Sequence, residues 1–265
     1  MPAEKGQRPA FDTTVANHAR VYNYLLGGKD NFAADRAAGE AAIKAYPATA
    51  YAARANRAFL ARVVRYLAAD AGIRQFLDIG TGIPTANNTH QVAESVSPEC
   101  RIVYVDNDPA VLAHARALLT TSPEGAVDYI DADLRDPEKI LTEAARTLDF
   151  SRPVAVMLIA VLHVIGDDDD PHGCVARLTD AVPSGSYLAL SHVACDIEPE
   201  KVADAMGRLS RAGNRPGFAR SHAEVTRFFG ELELVEPGLV QVSKWRPAIE
   251  AKRSVAMWGG VGRKP

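Results

Sequence analysis

From residue 75 onward, short apolar runs alternate with helix-like stretches to the end of the 265-residue chain, and this alternation limits the possible folds. The runs are apolar throughout instead of at every second residue, which is typical of parallel strands buried on both faces. The last two runs leave no room for a crossover helix, so we expect an antiparallel hairpin at one edge. The predicted fold class is α/β, a doubly wound, mostly parallel sheet of seven strands at 75–80, 101–106, 127–133, 153–165, 186–194, 232–245 and 253–261.

The first 74 residues have a different pattern. Apolar positions recur at helical spacing after Asp12-Thr13-Thr14, which are good helix N-cap residues, until Gly27-Gly28 ends the pattern. Two further helices are predicted at 33–45 and 49–70. The expected organisation is an N-terminal helical cap, 1–74, followed by an α/β domain, 75–265.

Composition narrows the class of protein. A net charge of −3 gives no general attraction to nucleic acid or membrane surfaces. The three cysteines lack metal-site or disulfide spacing, and the apolar run 153–165 is too short to span a bilayer. The start of the sequence lacks the apolar segment of a signal peptide. A cytoplasmic protein without a metal is expected.

The turn after the first predicted strand, Asp78-Ile79-Gly80-Thr81-Gly82, is the first candidate binding segment. Glycine permits positive φ and lets a ligand approach the backbone. A dinucleotide-binding turn would carry a third glycine where this chain has Thr85, and no lysine follows as in a P-loop. The turn therefore favours a nucleoside without a pyrophosphate, contacted by Asp78, Gly80, Thr81 and Gly82.

The ends of the second and third strands add acidic residues. Asp106, with Asn107 beside it, is placed to accept the two ribose hydroxyl groups, whereas Asp108 is expected to cap the helix that Pro109 begins. At the third strand end, Asp133 could accept a hydrogen bond from an adenine amino group while Leu134 packs on the ring. Together with the glycine turn, these positions indicate an adenosine site.

We expect the end of the fourth strand to lie beside the part of the bound adenosine compound that reacts, with Ala160 in contact with that compound. His163 is the candidate general base, because the ordinary pKa of histidine suits that role. A buried structural histidine is the alternative. The acidic run 167–170 with His172 could suggest a metal, but acidic residues at a helix start are ordinary.

Longer strings of the sequence extend this interpretation. The chain resembles class I S-adenosylmethionine-dependent methyltransferases and, more narrowly, a family of S-adenosyl methyltransferases formerly catalogued as a domain of unknown function. The resemblance rests on RVYNYLLGGKDNFAADR (20–36), FLDIGTGIPT (76–85) with Asn88 and His90, VYVDNDPAVLAHARALL (103–119), YIDADLRDP (129–137) and GSYLALSH (185–192). It implies a Rossmann-like domain with S-adenosylmethionine against Gly80 and Gly82, the ribose on Asp106 and the adenine at Asp133-Leu134.

The N-terminal string also allows two interpretations. A helix break carries Tyr22, Tyr24, Gly27-Gly28-Lys29 and Asn31, and these residues could form a lid, with Lys29 on the cofactor carboxylate or a tyrosine face on its sulfonium. Alternatively, the string packs the helices on the sheet. The expected reaction is methyl transfer to an unidentified small-molecule acceptor. The competing hypotheses are a non-catalytic S-adenosylmethionine-binding regulator and a nucleotide-dependent oxidoreductase.

Overall fold

The computed structural model describes residues 12–118, 122–213, 215–249 and 253–265. Three helices precede the sheet: α1 His18–Leu25, α2 Ala33–Ala45 and α3 Thr49–Ala69. The strands are β1 Gln75–Ile79, β2 Arg101–Asp106, β3 Ala126–Asp131, β4 Ala155–Ile159, β5 Tyr187–Val193, β6 Glu233–Leu234, β7 Val240–Gln241 and β8 Met257–Arg263. The remaining helices are α4 Thr89–Glu94, α5 Pro109–Leu118, α6 Pro137–Ala144, α7 Pro171–Asp180, α8 Pro199–Ala212 and α9 His222–Thr226.

The sheet has the order β3-β2-β1-β4-β5-β8-β6, and β7 also pairs with β8. The first five strands are parallel, and β8 runs antiparallel to β5 from Tyr187 opposite Arg263 to Val193 opposite Met257. The predicted doubly wound sheet with an antiparallel edge is therefore confirmed. The strand order reverses between β1 and β4, and ligands of such sheets bind beyond the strand ends at this point.

The predicted strand at 232–245 was wrong in its extent. It is two strands of two residues, β6 and β7, which both pair with the outer edge of β8. The turn between them contains Pro237, which has no N–H to donate to a ladder, and Gly238 at φ +84°. Within the described residues the sheet therefore has eight strands instead of the predicted seven.

Three other predicted boundaries also differ. The first helix begins at His18, because Asn17 accepts a hydrogen bond from the Ala19 N–H at 2.8 Å, whereas Asp12 makes a local turn with Thr14. The helix after β1 is only Thr89–Glu94. The fourth strand ends at Ile159, because Ala160 adopts a left-handed φ of +55°. The end of the predicted helix at 119–120 lies outside the described residues.

Successive side chains of a strand point to opposite faces of the sheet, and each face of this sheet packs against its own apolar core. Phe76 and Met157 pack with Phe59 and Leu67 of α3, while Leu77 on the other face packs with helices α6 and α7. Helix α3 therefore shares a core with the sheet. The division into 1–74 and 75–265 stays a prediction.

A buried ion pair joins α1 to the start of α2. Asp35 is fully buried, and its carboxylate accepts hydrogen bonds from the Arg20 Nε at 3.0 Å, the Phe32 N–H at 2.8 Å and the Asn17 N–H at 2.9 Å. These bonds satisfy the charge of a carboxylate that would be costly to bury alone. They hold α1 over the carboxyl ends of the strands.

No helix in the ranges that the structure describes has both the length and the apolar character needed to cross a membrane.

Candidate active site

A cavity of about 510 Å³ lies at the carboxyl ends of the strands, around the point where the strand order reverses. Its walls come from the ends of β1, β2, β3 and β4, from α1 and α3 of the N-terminal helices, and from α8. Nine of the candidate residues line it: Asp78, Gly80, Thr81, Gly82, Asp106, Asn107, Asp133, Leu134 and Ala160. His163 lines it as well.

The turn after β1 needs glycine at two positions. Gly80 has φ +74°, and a Cβ there would lie 2.3 Å from Val161 Cγ2. Gly82 has φ +64°, and its N–H donates to Asp106 Oδ2 at 2.9 Å. The turn is thereby fixed to the end of β2, with its backbone on the cavity.

Asp106 is 9% exposed, and its two oxygens accept hydrogen bonds from the N–H groups of Gly82 and Asp108, both at 2.9 Å. Burial raises the pKa of its carboxyl group to about 6, although these bonds oppose the shift. Each carboxylate oxygen has a second lone pair, so Asp106 retains acceptor capacity on the cavity side. Asp108 accepts from the Ala110 N–H at 2.8 Å, which confirms it as the cap of α5.

Asp78 is 4% exposed and accepts a hydrogen bond from Thr89 Oγ1 at 2.6 Å. Burial raises the pKa of its carboxyl group to about 6, and the positive charge of Arg57 acts in the opposite direction. Arg57 also lines the cavity and donates to the Asn88 Oδ1 at 2.8 Å. A carboxylate and a guanidinium side by side can bind the ammonium and carboxylate groups of an amino acid.

Asp133 already accepts several hydrogen bonds. Arg135 Nη2 donates to it at 2.8 Å, Asn107 Nδ2 at 2.6 Å and Arg215 Nη2 at 3.4 Å. The hydrogen bonds from Arg135 hold the pKa of Asp133 below its usual range. Asp133 is therefore a fixed negative charge beside Leu134, at the end of the cavity nearest β3.

Ala160 is held in its left-handed conformation by a buried network. Its N–H donates to Ser191 Oγ at 3.0 Å, and Ser191 Oγ donates to Asn56 Oδ1 at 2.6 Å. Asn56 Nδ2 donates to Tyr22 Oη at 2.9 Å, and Tyr22 Oη donates to the Ala53 carbonyl at 3.1 Å. A non-glycine residue keeps a strained backbone conformation only where several surrounding contacts hold it in place, and such residues cluster at functional sites.

His163 stands at the cavity wall beyond β4. Its Nδ1 is buried and has no hydrogen-bond partner among the described residues. Burial holds the pKa of His163 well below its usual value, with neighbouring His192, His18 and Arg220 acting in the same direction. The ring is therefore neutral at physiological pH.

His192 behind His163 has a fixed tautomer. Its Nδ1 donates to the Val193 carbonyl at 2.8 Å, and its Nε2 accepts from Arg220 Nη1 at 2.9 Å. Burial lowers the pKa of His192 to about 4. His192 is therefore a neutral structural neighbour of His163, at a ring-centroid distance of 6.1 Å.

Tyr24, Lys29 and Asn31 do not line the cavity. The Tyr24 hydroxyl reaches Glu40 at 3.3 Å, Lys29 is exposed, and Asn31 Nδ2 donates to Asn23 Oδ1 at 2.9 Å. The structure thus favours the packing interpretation for these three residues, which form the break between α1 and α2. Tyr22 of the same string does line the cavity, and so do four residues that were not predicted: His18, Ala19, Asn56 and Arg57.

The acidic run before α7 has local partners. Asp167 pairs with Arg220 at 2.7 Å, and Asp170 accepts from the Gly173 N–H at 2.9 Å as the cap of α7. In the described portion of the chain, no group of three or more His, Cys, Asp or Glu side chains is placed to hold a metal ion.

Comparison with solved structures first defines the class. A S-adenosylmethionine-dependent methyltransferase from Anabaena variabilis superposes with a TM-score of 0.53 over 98% of this chain and 100% of that chain, at 12% identity. At that identity the likeness concerns the fold alone. It is in keeping with the doubly wound sheet described above, and the fold is Rossmann-like.

Two solved structures are far more similar. A protein of a domain-of-unknown-function family from Streptomyces avermitilis is 49% identical, with a TM-score of 0.92 over 96% of this chain and 99% of that chain. A proposed methyltransferase from Thermobifida fusca is 44% identical, with a TM-score of 0.89 over 97% of each chain. Among curated proteins, none matches this chain significantly.

The chain belongs to the S-adenosyl methyltransferase family, whose family model matches residues 4–265. The resemblance read from the sequence is confirmed, and the cofactor is S-adenosylmethionine. The protein is a methyltransferase of this family, and the family assignment does not extend to the molecule that it methylates.

Proposed function

We propose that the protein transfers the methyl group of S-adenosylmethionine to a small molecule held inside the cavity. The observation that carries the proposal is the cavity itself. It runs from the carboxylates at the ends of β1–β3 to the side of α8, with residues of α1 in its wall, so that one cavity joins the proposed cofactor site to an apolar wall. A volume of about 510 Å³ is within the usual range for ligand pockets.

The residues present fit the cofactor. The backbone of Gly80, Thr81 and Gly82 gives close approach without a Cβ, and Asp106 offers lone pairs to the ribose hydroxyls. Asp78 and Arg57 together suit the ammonium and carboxylate of the methionine part.

The remaining contacts are proposed at either end of the cofactor. Asn107, Asp133 and Leu134 would bind the adenine end, and Ala160 would contact the sulfonium side. For Tyr24, Lys29 and Asn31, a direct cofactor contact gains no support, because they lie off the cavity.

When bound, the cofactor supplies a methyl group on a positively charged sulfur, and the neutral thioether that remains after transfer is a good leaving group. The protein then has to align the acceptor and exclude water, and such positioning supplies about 7–11 kcal/mol in favourable cases. His163 is the proposed catalytic residue, because its neutral ring can take a proton from the acceptor. The family assignment favours this reaction over a non-catalytic regulator and over an oxidoreductase.

The test uses S-adenosylmethionine with a labelled methyl group and a cell extract separated into small-molecule and macromolecular fractions. We expect label in the small-molecule fraction. His163→Ala should lower turnover by about 100-fold, while affinity for S-adenosylhomocysteine stays within about twofold. His114→Ala is the matched control, since His114 is on α5 and does not line the cavity.

Label confined to protein or nucleic acid would refute a small-molecule acceptor. Unchanged turnover in His163→Ala, with a lower melting temperature, would make His163 a structural residue. We also propose a cytoplasmic location, supported by Cys100, Cys174 and Cys195, which are free thiols.

A further inference from the structure

One wall of the cavity is apolar and comes from a separate cluster of side chains. We call it the α8 lobe, and it consists of Tyr46, Val193, Val202, Ala205, Met206 and Ala256. These side chains pack against one another where α8 crosses the ends of β5 and β8 and meets the turn between α2 and α3. They form a continuous surface that also faces the cavity.

The carboxylates at the strand ends lie on the other side of the cavity. Asp78, Asp106 and Asp133 follow β1, β2 and β3, which are all on one side of β4 in the strand order, whereas β5 and β8 are on the other side. None of the six residues of the α8 lobe is charged. A protonated amine in this lobe would be desolvated without a counterion, which is strongly unfavourable.

His163 lies between the two sides. It follows β4, and its carbonyl accepts a hydrogen bond from the Phe218 N–H at 2.7 Å. Gly217, next to Phe218, packs so closely on Met206 of the lobe that a Cβ there would lie 2.4 Å from Met206 Cε. The backbone of His163 is thus anchored beside the lobe, while its buried Nδ1 has no hydrogen-bond partner among the described residues.

We propose that the acceptor is a small, largely apolar oxygen acid, a phenol or an enol, whose ring or chain fills the α8 lobe and whose hydroxyl meets the imidazole of His163, which lines the cavity. This inference rests on the proposed methyl transfer. The acceptor oxygen forms a bond to the methyl carbon as the bond from that carbon to sulfur breaks, with its electron pair going to sulfur. The hydroxyl proton passes to the imidazole of His163 and then to water.

The apolar α8 lobe and the neutral His163 together indicate the chemical class of the acceptor. The apolar lobe favours a molecule with little polar surface, because each buried CH₂ group contributes about 0.8 kcal/mol. The depressed basicity of His163 suits a hydroxyl that is already acidic better than an aliphatic alcohol.

The experiment measures binding of 1-naphthol to the full-length protein saturated with S-adenosylhomocysteine, with 1-naphthylmethylamine as the cationic comparison. We expect saturable 1-naphthol binding that is at least about tenfold tighter than binding of the amine. Met206→Gln should weaken 1-naphthol binding by about fivefold, and Ala203→Gln on the exposed face of α8 should leave it within about twofold. Val193→Thr, which is nearly isosteric, repeats the test if Met206→Gln does not fold.

Three results would overturn the inference: equal affinity for the amine, displacement of S-adenosylhomocysteine by 1-naphthol, or unchanged 1-naphthol binding in both lobe variants. Each of these results leaves the proposed methyl transfer standing, provided that the wild-type protein binds S-adenosylhomocysteine. Absence of that binding would instead refute the proposed function.

Discussion

Replacing Asp106 by asparagine tests the cofactor site most directly. The substitution keeps the volume of the side chain but removes its charge and one of its acceptor oxygens. In the native protein the two oxygens hold the N–H groups of Gly82 and Asp108. In Asp106→Asn one of these N–H groups faces an amide NH₂, and the ribose loses its charged acceptor.

Hydrogen bonds to charged groups contribute about 1.5–3 kcal/mol, so affinity for S-adenosylhomocysteine should fall about 10- to 150-fold. Isothermal titration calorimetry at neutral pH measures this change, and thermal unfolding verifies that the variant is folded. Asp131→Asn is the matched control, because Asp131 lies directly opposite Asp106 in the sheet register but is exposed and does not line the cavity. Affinity of Asp106→Asn within about threefold of the wild type would show that Asp106 does not bind the ribose.

Three further outcomes follow from the same structure. Because the pKa of Asp106 is raised to about 6, the carboxylate becomes protonated below that pH. The affinity of the wild-type protein for S-adenosylhomocysteine should therefore fall about tenfold between neutral pH and about pH 5. An affinity that does not change with pH in calorimetry would contradict this. Asp35→Ala removes the carboxylate that pairs with the buried Arg20 and should cost about 3–5 kcal/mol in chemical denaturation, and a loss below about 1 kcal/mol would argue against the importance of this ion pair. Gly80→Ala should lower both the melting temperature and the cofactor affinity. The control is Gly72→Ala, because Gly72 has a similar φ but open space for a Cβ, and its effects should be smaller. Equal effects of the two substitutions would refute the role of close packing at Gly80.

Much of the fold could be predicted because it depends on local pattern. The apolar runs that contain β1, β2 and β4 are buried in the sheet, as their composition indicated. Parallel strands bring their carboxyl ends to one edge, so acidic residues after these runs had to lie near one another. The break at Pro237 was missed although Pro237-Gly238 is a turn signal in the sequence, and the pairing of the two flanking pieces with β8 depends on tertiary contacts.

The candidate site was less predictable where it depends on the N-terminal helices. Tyr22, Tyr24 and Lys29 all belong to the distinctive string of this region, yet of these only Tyr22 lines the cavity, and Arg57 of α3 lines it as well. Helical periodicity shows which residues share a face, but it does not show which part of the sheet that face covers. Asn56 is a polar residue among apolar ones in α3, and this was the one signal of its buried role.

The sequence by itself determined the strand–helix order, the glycine turn and the acidic strand ends, because each of these depends on residues that are close along the chain. Only the tertiary structure decided that α3 and α8 enclose one cavity, that Asn56 and Ser191 hold Ala160, and that His163 stays neutral. These features come from side chains far apart in the sequence, whose contacts and desolvation exist only when the helices are packed on the sheet.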